Sequence, residues 1–285
     1  MNGVVDVGGG LRGIYGAGVF DCCLEQGIQF DYCIGVSAGS ANIASYLGKQ
    51  KGRNYRFYTE YSFRRQYMSL KNLVHTGSYI NMDYVYGDLS NQDGEDPLNF
   101  KEIERFAGEM KTVALKAETG ETIYFDKTDM KQDHYDILKA SSCIPGVCEP
   151  YLVNGIPCFD GGLADPVPVQ KAFDDGCDRV VVILTKPLNF IRAQKDDARM
   201  VRLLRRKYPV AADCLSHRYR KYNDGVALAK KYAGRGSALI LAPDDCCGMK
   251  TLTKNKECME QMYRKGYADA RKIEGFLKRK FVSFF

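Results

Sequence analysis

An α/β fold on a mostly parallel sheet is the expectation for this chain, and three observations predict it. Strand and helix patterns alternate twice within the first fifty residues, glycines punctuate the changes, and the run Val180-Val181-Val182-Ile183-Leu184 reads as a fully buried strand. Val4 to Val7 is the first short strand, followed by a loop from Gly8 to Gly13. Ile14, Ala17, Phe20 and Leu24 supply the apolar face of a helix that Gly27 ends. Phe30 to Val36 is the second strand, and the helix after Ser37 fades near Gly48. Crossovers between such strands are right-handed.

The stretch from Lys51 to Asp96 is different in character. It is rich in Tyr, Phe and Arg, as in Tyr55-Arg56-Phe57-Tyr58, and Asn91 to Pro97 is turn-like. Residues 50–100 read as an aromatic, basic cap or entrance to a site, or equally as an aromatic helix packed on the sheet. Thr112 to Ala117 and Thr122 to Phe125 flank the turn Glu118-Thr119-Gly120 and predict a hairpin. Asp136 to Ala140 is a short helix, Arg179 to Leu184 a buried strand and Ala238 to Leu241 another. Asn255 to Leu277 reads as a terminal helix, with Met259, Met262, Tyr263, Tyr267 and Ala270 as its buried stripe. Residues 190–285 thus form a basic, largely helical part with one further strand, and 1–285 are read as one domain.

Bulk properties exclude several classes. An apolar fraction of 45% is that of an ordinary globular core. The chain has no run of 18 apolar residues, and MNGVVDVGGG lacks the basic flank and apolar stretch of a signal peptide. Eleven cysteines, an odd number without a CxxC pair, predict free thiols in a reducing cytoplasm. With three histidines and no ligand spacing, no metal is implied. The net charge is +6, but between Arg192 and Arg235 thirteen Lys or Arg face four Asp. That stretch suits an anionic surface, such as phospholipid headgroups at the inner membrane face, or a solvated helical face. Nucleic acid is excluded as a partner by the absence of any zinc-finger or RNP-type motif. Oligomeric state is left open.

The chemistry concentrates in glycine-bounded segments. Gly35-Val36-Ser37-Ala38-Gly39 follows an apolar strand, the G-x-S-x-G arrangement by which a strand turns sharply into a helix with a serine hydroxyl standing free. Ser37 is therefore the candidate nucleophile, and Gly35 and Gly39 keep side chains out of the crowded turn. Gly8-Gly9-Gly10-Leu11-Arg12-Gly13 matches G-x-G-x-x-G after a strand and admits two readings. One is a dinucleotide loop, with Asp31 as the acidic ribose partner. The other is an oxyanion hole whose backbone N–H groups face the developing charge of an acyl-transfer intermediate.

A serine needs a base. Asp160, in Phe159-Asp160-Gly161-Gly162-Leu163, is the leading candidate, because paired glycines allow a tight turn that aims one carboxylate. His217 is the alternative, completing a Ser37-Asp160-His217 triad in α/β-hydrolase order.

Three blocks together resemble the patatin-like phospholipases: Gly8 to Gly13, Gly35 to Ser40, and Asp160-Gly161-Gly162, separated by 123 positions from Ser37 to Asp160. Ala140-Ser141-Ser142-Cys143-Ile144-Pro145-Gly146-Val147 resembles the family's Ala-Ser-x-Ala-x-Pro segment, with Cys143 where alanine is more usual. Asn154 to Phe159 and Asp165 to Val169 resemble the flanks of the aspartate motif. The likeness spans about residues 4–185. It implies a three-layer α/β/α sandwich and a lipid acyl hydrolase with Ser37 as nucleophile and Asp160 as base, without a catalytic histidine. It further implies oxyanion donors near Gly9, Gly10 and Arg12, supporting turns at Gly8, Gly13, Gly35, Gly39, Gly161 and Gly162, and no metal or organic cofactor. The implied substrate is a phospholipid, another lipid or a small ester. A lipid-binding module without turnover and a dinucleotide-binding oxidoreductase are the rival readings.

Overall fold

In a computed structural model, which describes residues 1–278, the elements follow one another as strands and helices of a layered α/β structure. The first are β1 (Asn2–Asp6), α1 (Ile14–Glu25), β2 (Tyr32–Val36) and α2 (Ala38–Leu47), with a single 3-10 turn at Gly10–Gly13 between β1 and α1. Short helices α3 (Arg53–Thr59), α4 (Leu70–Thr76) and α5 (Phe100–Arg105) precede the hairpin β3 (Glu109–Lys116) and β4 (Thr122–Asp126). Then come α6 (Asp136–Ser141), β5 (Tyr151–Val153), β6 (Ile156–Asp160), α7 (Val169–Asp174) and β7 (Arg179–Ile183). The remainder is α8 (Ala198–Leu204), α9 (Pro209–Gly234), β8 (Ala238–Leu241) and α10 (Lys256–Leu277). The second strand begins at Tyr32; Phe30 and Asp31 belong to the loop before it, where the Asp31 N–H reaches the Asn2 carbonyl at 2.8 Å.

The eight strands form one sheet in the order β5-β6-β3-β2-β1-β7-β8, with β4 also on β3. The β1, β2, β3, β7 and β8 pairings that build its centre are parallel, apart from the antiparallel β3–β4 hairpin, and β5 and β6 are antiparallel additions. Alternation along each strand splits the core in two. Val4, Cys33, Val181 and Ile183 face a layer containing α1, α2 and α10, while Val5, Ile34, Val180 and Val182 face α7 and α9. The predicted buried stripe of the terminal helix holds for Met259, Met262 and Ala270; Tyr263 and Tyr267 are half-buried at its border.

The pairing of β3 positions the site. Within a strand, successive N–H groups point to opposite edges. Glu109 donates to Asp31 at 2.9 Å and Ala117 to Pro157 at 2.8 Å, whereas Lys116 donates to Glu121 at 2.9 Å. Odd-numbered residues therefore face β2 and β6, and even-numbered ones face β4. β2 and β6 lie end to end along one edge of β3, with Val36 opposite Val113 and Asp160 opposite Ala114. Two strands that run toward each other thus terminate together, one just before Ser37 and the other at Asp160.

One expectation from cysteine spacing is corrected. Cys247 and Cys258 are paired as a disulfide with Cα atoms 5.5 Å apart, and the other nine cysteines are free. The eleven-residue separation carried no pairing signal. Packing of the loop after β8 against the first turn of α10 brings the two together.

Candidate active site

Ser37 sits at the corner between β2 and α2 with φ 57° and ψ −130°, a left-handed conformation costing roughly 1–3 kcal/mol for a residue with a side chain. The surroundings enforce it. A Cβ on Gly35 would lie 2.5 Å from the Ser40 Cα, and one on Gly39 would lie 2.2 Å from the Asp6 carbonyl oxygen. The Ser37 N–H donates to the Ser141 Oγ at 2.9 Å, and that oxygen also lies 3.1 Å from the Ser40 Oγ. The turn is thereby tied to the end of α6.

Asp160 closes β6. Its backbone N–H donates to the Cys143 carbonyl at 2.9 Å, linking it to the Ala140–Val147 segment. The Gly162 N–H donates to its Oδ1 at 2.7 Å. A Cβ on Gly161 would lie 2.2 Å from the Val113 carbonyl, so the turn can be followed only by glycine. Burial raises the proton affinity of the Asp160 carboxyl above the usual aspartate range, while the Ser37 hydroxyl, the Gly162 N–H and the more distant Arg218 pull it back. Ser37 and Asp160 are both buried, and both line one cavity of about 340 Å³.

The glycine loop lines the same cavity through Gly8, Gly9 and Gly10, with φ values of 61°, 124° and 60°. A Cβ on Gly8 would lie 2.2 Å from the Val36 carbonyl, so the loop rests directly against the serine turn. Its N–H groups divide by use. Gly8 donates to the Asp6 carboxyl at 2.9 Å and Leu11 to the Thr251 carbonyl at 2.8 Å. The N–H groups of Gly9 and Gly10 have no hydrogen-bond partner among the described residues. Thr185 donates its hydroxyl to the Gly8 carbonyl from the end of β7. Gly13 contributes its carbonyl, which accepts from the Asn42 side chain at 2.9 Å. Arg12 is buried against the loop, and its Nε has no partner among the described residues.

Sequence reasoning missed the layer beneath. Asp6 is fully buried at the end of β1, where desolvation raises its proton affinity to about 6. It accepts from Asn42 at 2.9 Å, and Asn42 in turn accepts from the Tyr58 hydroxyl at 3.0 Å. An acidic residue closing an otherwise apolar strand was the available signal. Ser141 was visible only as part of a segment.

A second, apolar cavity opens beside Ser37. Its walls include Leu11, Phe57, Tyr58, Met68, Ile80, Met82 and Tyr86, so the 51–96 stretch supplies much of this lining.

Two alternatives fare differently. Asp31 lies in the loop before β2, at the opposite end of the strands from the glycine loop, and accepts from the Asn2 N–H at 2.7 Å. It is out of place for a ribose. His217 is exposed on α9, its Nδ1 3.0 Å from the Asp213 carbonyl, and His75 and His134 are exposed as well. No histidine lines either cavity. The triad order was present in the sequence, but α9 turns His217 outward.

The fold is thus a mostly parallel α/β sheet in which a buried serine at a strand–helix corner and a buried aspartate at the end of another strand line one cavity. The family model for patatin-like phospholipases matches residues 7–173, and the chain belongs to that family. A domain of unknown function, DUF6363, matches residues 208–278. The uncharacterised protein YjjU of Escherichia coli is 32% identical over 185 residues, covering 63% of this chain and 50% of that one. The lysophospholipase NTE1 of Candida albicans is 27% identical over 187 residues, covering 64% of this chain and 13% of that one. This chain therefore spans half or less of the length of these relatives. A crystal structure of VipD from Legionella pneumophila is similar at TM-score 0.48 and 13% identity over 95% of this chain and 66% of that one, a likeness too distant to bear on function.

Proposed function

We propose that this protein is a carboxylic ester hydrolase acting on lipids through a Ser37–Asp160 dyad. The reading is carried by one observation: a serine held in a left-handed turn shares its cavity with a buried carboxylate whose proton affinity is raised. Asp160 takes the Ser37 proton as Oγ attacks the ester carbonyl carbon. The oxyanion is received by the unpaired N–H groups of Gly9 and Gly10, beside Arg12; one lost donor of this kind costs roughly 3 kcal/mol. Asp160 then returns the proton to the departing alcohol. Water, activated by the same carboxylate, releases the acid and regenerates Ser37. The apolar cavity beside Ser37 takes the acyl chain.

Family membership and the lysophospholipase relatives support a lipid ester over other acyl compounds. Among the described residues no helix is long and apolar enough to cross a membrane. Access to lipid is accordingly proposed as peripheral contact of the basic 192–235 stretch with an anionic membrane face.

The test is ester hydrolysis and fluorophosphonate labelling of the wild type and Ser37→Ala. Both signals vanish in the variant while its thermal melting stays sharp. Labelling retained at another serine sinks the reading, and a folded wild type without turnover on any ester supports the lipid-binding alternative.

A further inference from the structure

The cavity that holds Ser37 and Asp160 has a second chemical character that ester hydrolysis does not use. Arg12, Lys186, Arg192 and Arg218 line it, and they come from four separate parts of the chain. Arg12 follows the glycine loop, Lys186 lies just past β7, Arg192 sits in the loop before α8, and Arg218 projects from α9. We propose that these four side chains form an anion subsite that receives a phosphate monoester carried on the alcohol part of the substrate. The inference rests on the Ser37–Asp160 reading for the position of the scissile ester.

Charge accounting favours an anion, since four cations face three carboxylates in the cavity, an excess of one positive charge. Three carboxylates share the cavity: Asp160, Asp196 and Asp197. Asp197 is held by Arg192 through contacts of 3.1 and 2.8 Å, and Asp196 accepts the Ala193 N–H at 3.0 Å, capping the turn before α8. Arg12, Lys186 and Arg218 have no ion pair among the described residues. Lys186 is placed by the Phe190 ring, with its Nζ 3.4 Å from the centroid. Burial lowers the proton affinity of all three, and proximity to Arg192 lowers it further, bringing Lys186 to about 8. The carboxylates of the cavity offset this repulsion only in part, and an entering anion relieves the remainder.

The same field selects among lipid headgroups. A phosphate monoester brings two negative charges and three terminal oxygens, which suit guanidinium forks and an ammonium. A zwitterionic headgroup would place its own cation among four others. The apolar cavity beside Ser37, which would take the acyl chain, has none of these four cations in its lining. Arg218 and the neighbouring Tyr222 lie within residues 208–278, so the segment of unknown function supplies one wall of the subsite.

The experiment compares kcat/KM for three substrates of one acyl chain: 1-acylglycerol 3-phosphate, 1-acylglycerophosphocholine and 1-acylglycerol. The wild type prefers the phosphate monoester by about tenfold or more over each of the others, and the preference ratio collapses toward one in Lys186→Met and in Arg218→Gln. A wild-type ratio near one, or a ratio that survives both substitutions, overturns the subsite. Calorimetric titration with glycerol 3-phosphate and with inorganic phosphate supplies a readout independent of turnover. Glycerol 3-phosphate binds the wild type and is lost in the Lys186→Met/Arg218→Gln double variant. Tighter binding of inorganic phosphate that leaves lipid hydrolysis uninhibited identifies a free-phosphate site and overturns the substrate assignment. Absence of hydrolysis with intact, substitution-sensitive glycerol 3-phosphate binding condemns the dyad reading and leaves the anion site standing.

Discussion

At the scale of single residues, the environment of Asp160 sets how the proposed chemistry responds to pH. A general base works only when deprotonated. Burial raises the Asp160 carboxyl above 3.8, the ordinary aspartate value, so kcat/KM is expected to fall as pH drops through a midpoint higher than 3.8. The rate rises, rather than falls, on the alkaline side of that midpoint. A pH–rate profile on a non-ionising ester checks this, and Asp160→Asn should abolish both the activity and its acid limb. An unchanged profile in that variant would point to another base. The sharp turns at Ser37 and Asp160 were legible in the sequence because glycines flank the serine on both sides and two glycines follow the aspartate, each a specific steric message. Asp6, Asn42 and Tyr58 were not. Their hydrogen bonds join β1, α2 and α3, and no spacing rule connects residues 6, 42 and 58.

At the scale of elements, close approach decides more than periodicity does. α1 and α10 cross with a glycine on each side: a Cβ on Gly18 would lie 2.1 Å from the Tyr263 carbonyl oxygen, and one on Gly266 would lie 2.0 Å from that of Tyr15. Buried polar contacts reinforce the crossing, with the Tyr15 hydroxyl 2.8 Å from Asp269 and the Tyr263 hydroxyl 2.7 Å from Asp21. Alanine in a helix interior is ordinarily up to about 1 kcal/mol better than glycine. Here Gly266→Ala is expected to destabilise by about 1–3 kcal/mol, because the added methyl overpacks the interface. Denaturant unfolding gives the sign, and a stabilised variant would refute the tight crossing. The helix itself was readable from Asn255 to Leu277, since its apolar residues recur at helical spacing. Its partner was not, because the same stripe would suit any apolar face.

At the scale of the whole molecule, residues 208–278 belong to the core as much as to the surface. Tyr222, Val226 and Ala229 of α9 cover one face of the sheet, and Met259, Met262, Ala270 and Ile273 of α10 lie in the core on the other. A chain ended after Lys207 would expose both faces and lose β8 from the sheet edge. Such a truncation is expected to show no cooperative thermal transition and to bind hydrophobic dyes; a sharp transition would show that residues 1–207 carry their own core. The basic character of 192–235 was plain in the sequence. That Arg218 turns inward to the serine cavity, while His217 turns out, follows only from the direction in which α9 lies across the sheet, and Arg192 reaches the same cavity from the loop before α8, its N–H held by Asn223 of α9 at 2.9 Å.

What the sequence determined by itself was local. Alternating apolar positions called for strands and helices, and glycine-bounded corners could hold only a sharply turned serine, a bare loop and an aimed aspartate. The tertiary structure alone decided that β2 and β6 end against each other on one edge of β3, which carries Ser37 to Asp160 across 123 positions of chain. It also decided which charges share their cavity. The physical reason is that hydrogen-bond register and face-to-face packing are long-range pairings, and the steric and periodic signals of a sequence act only over a few residues.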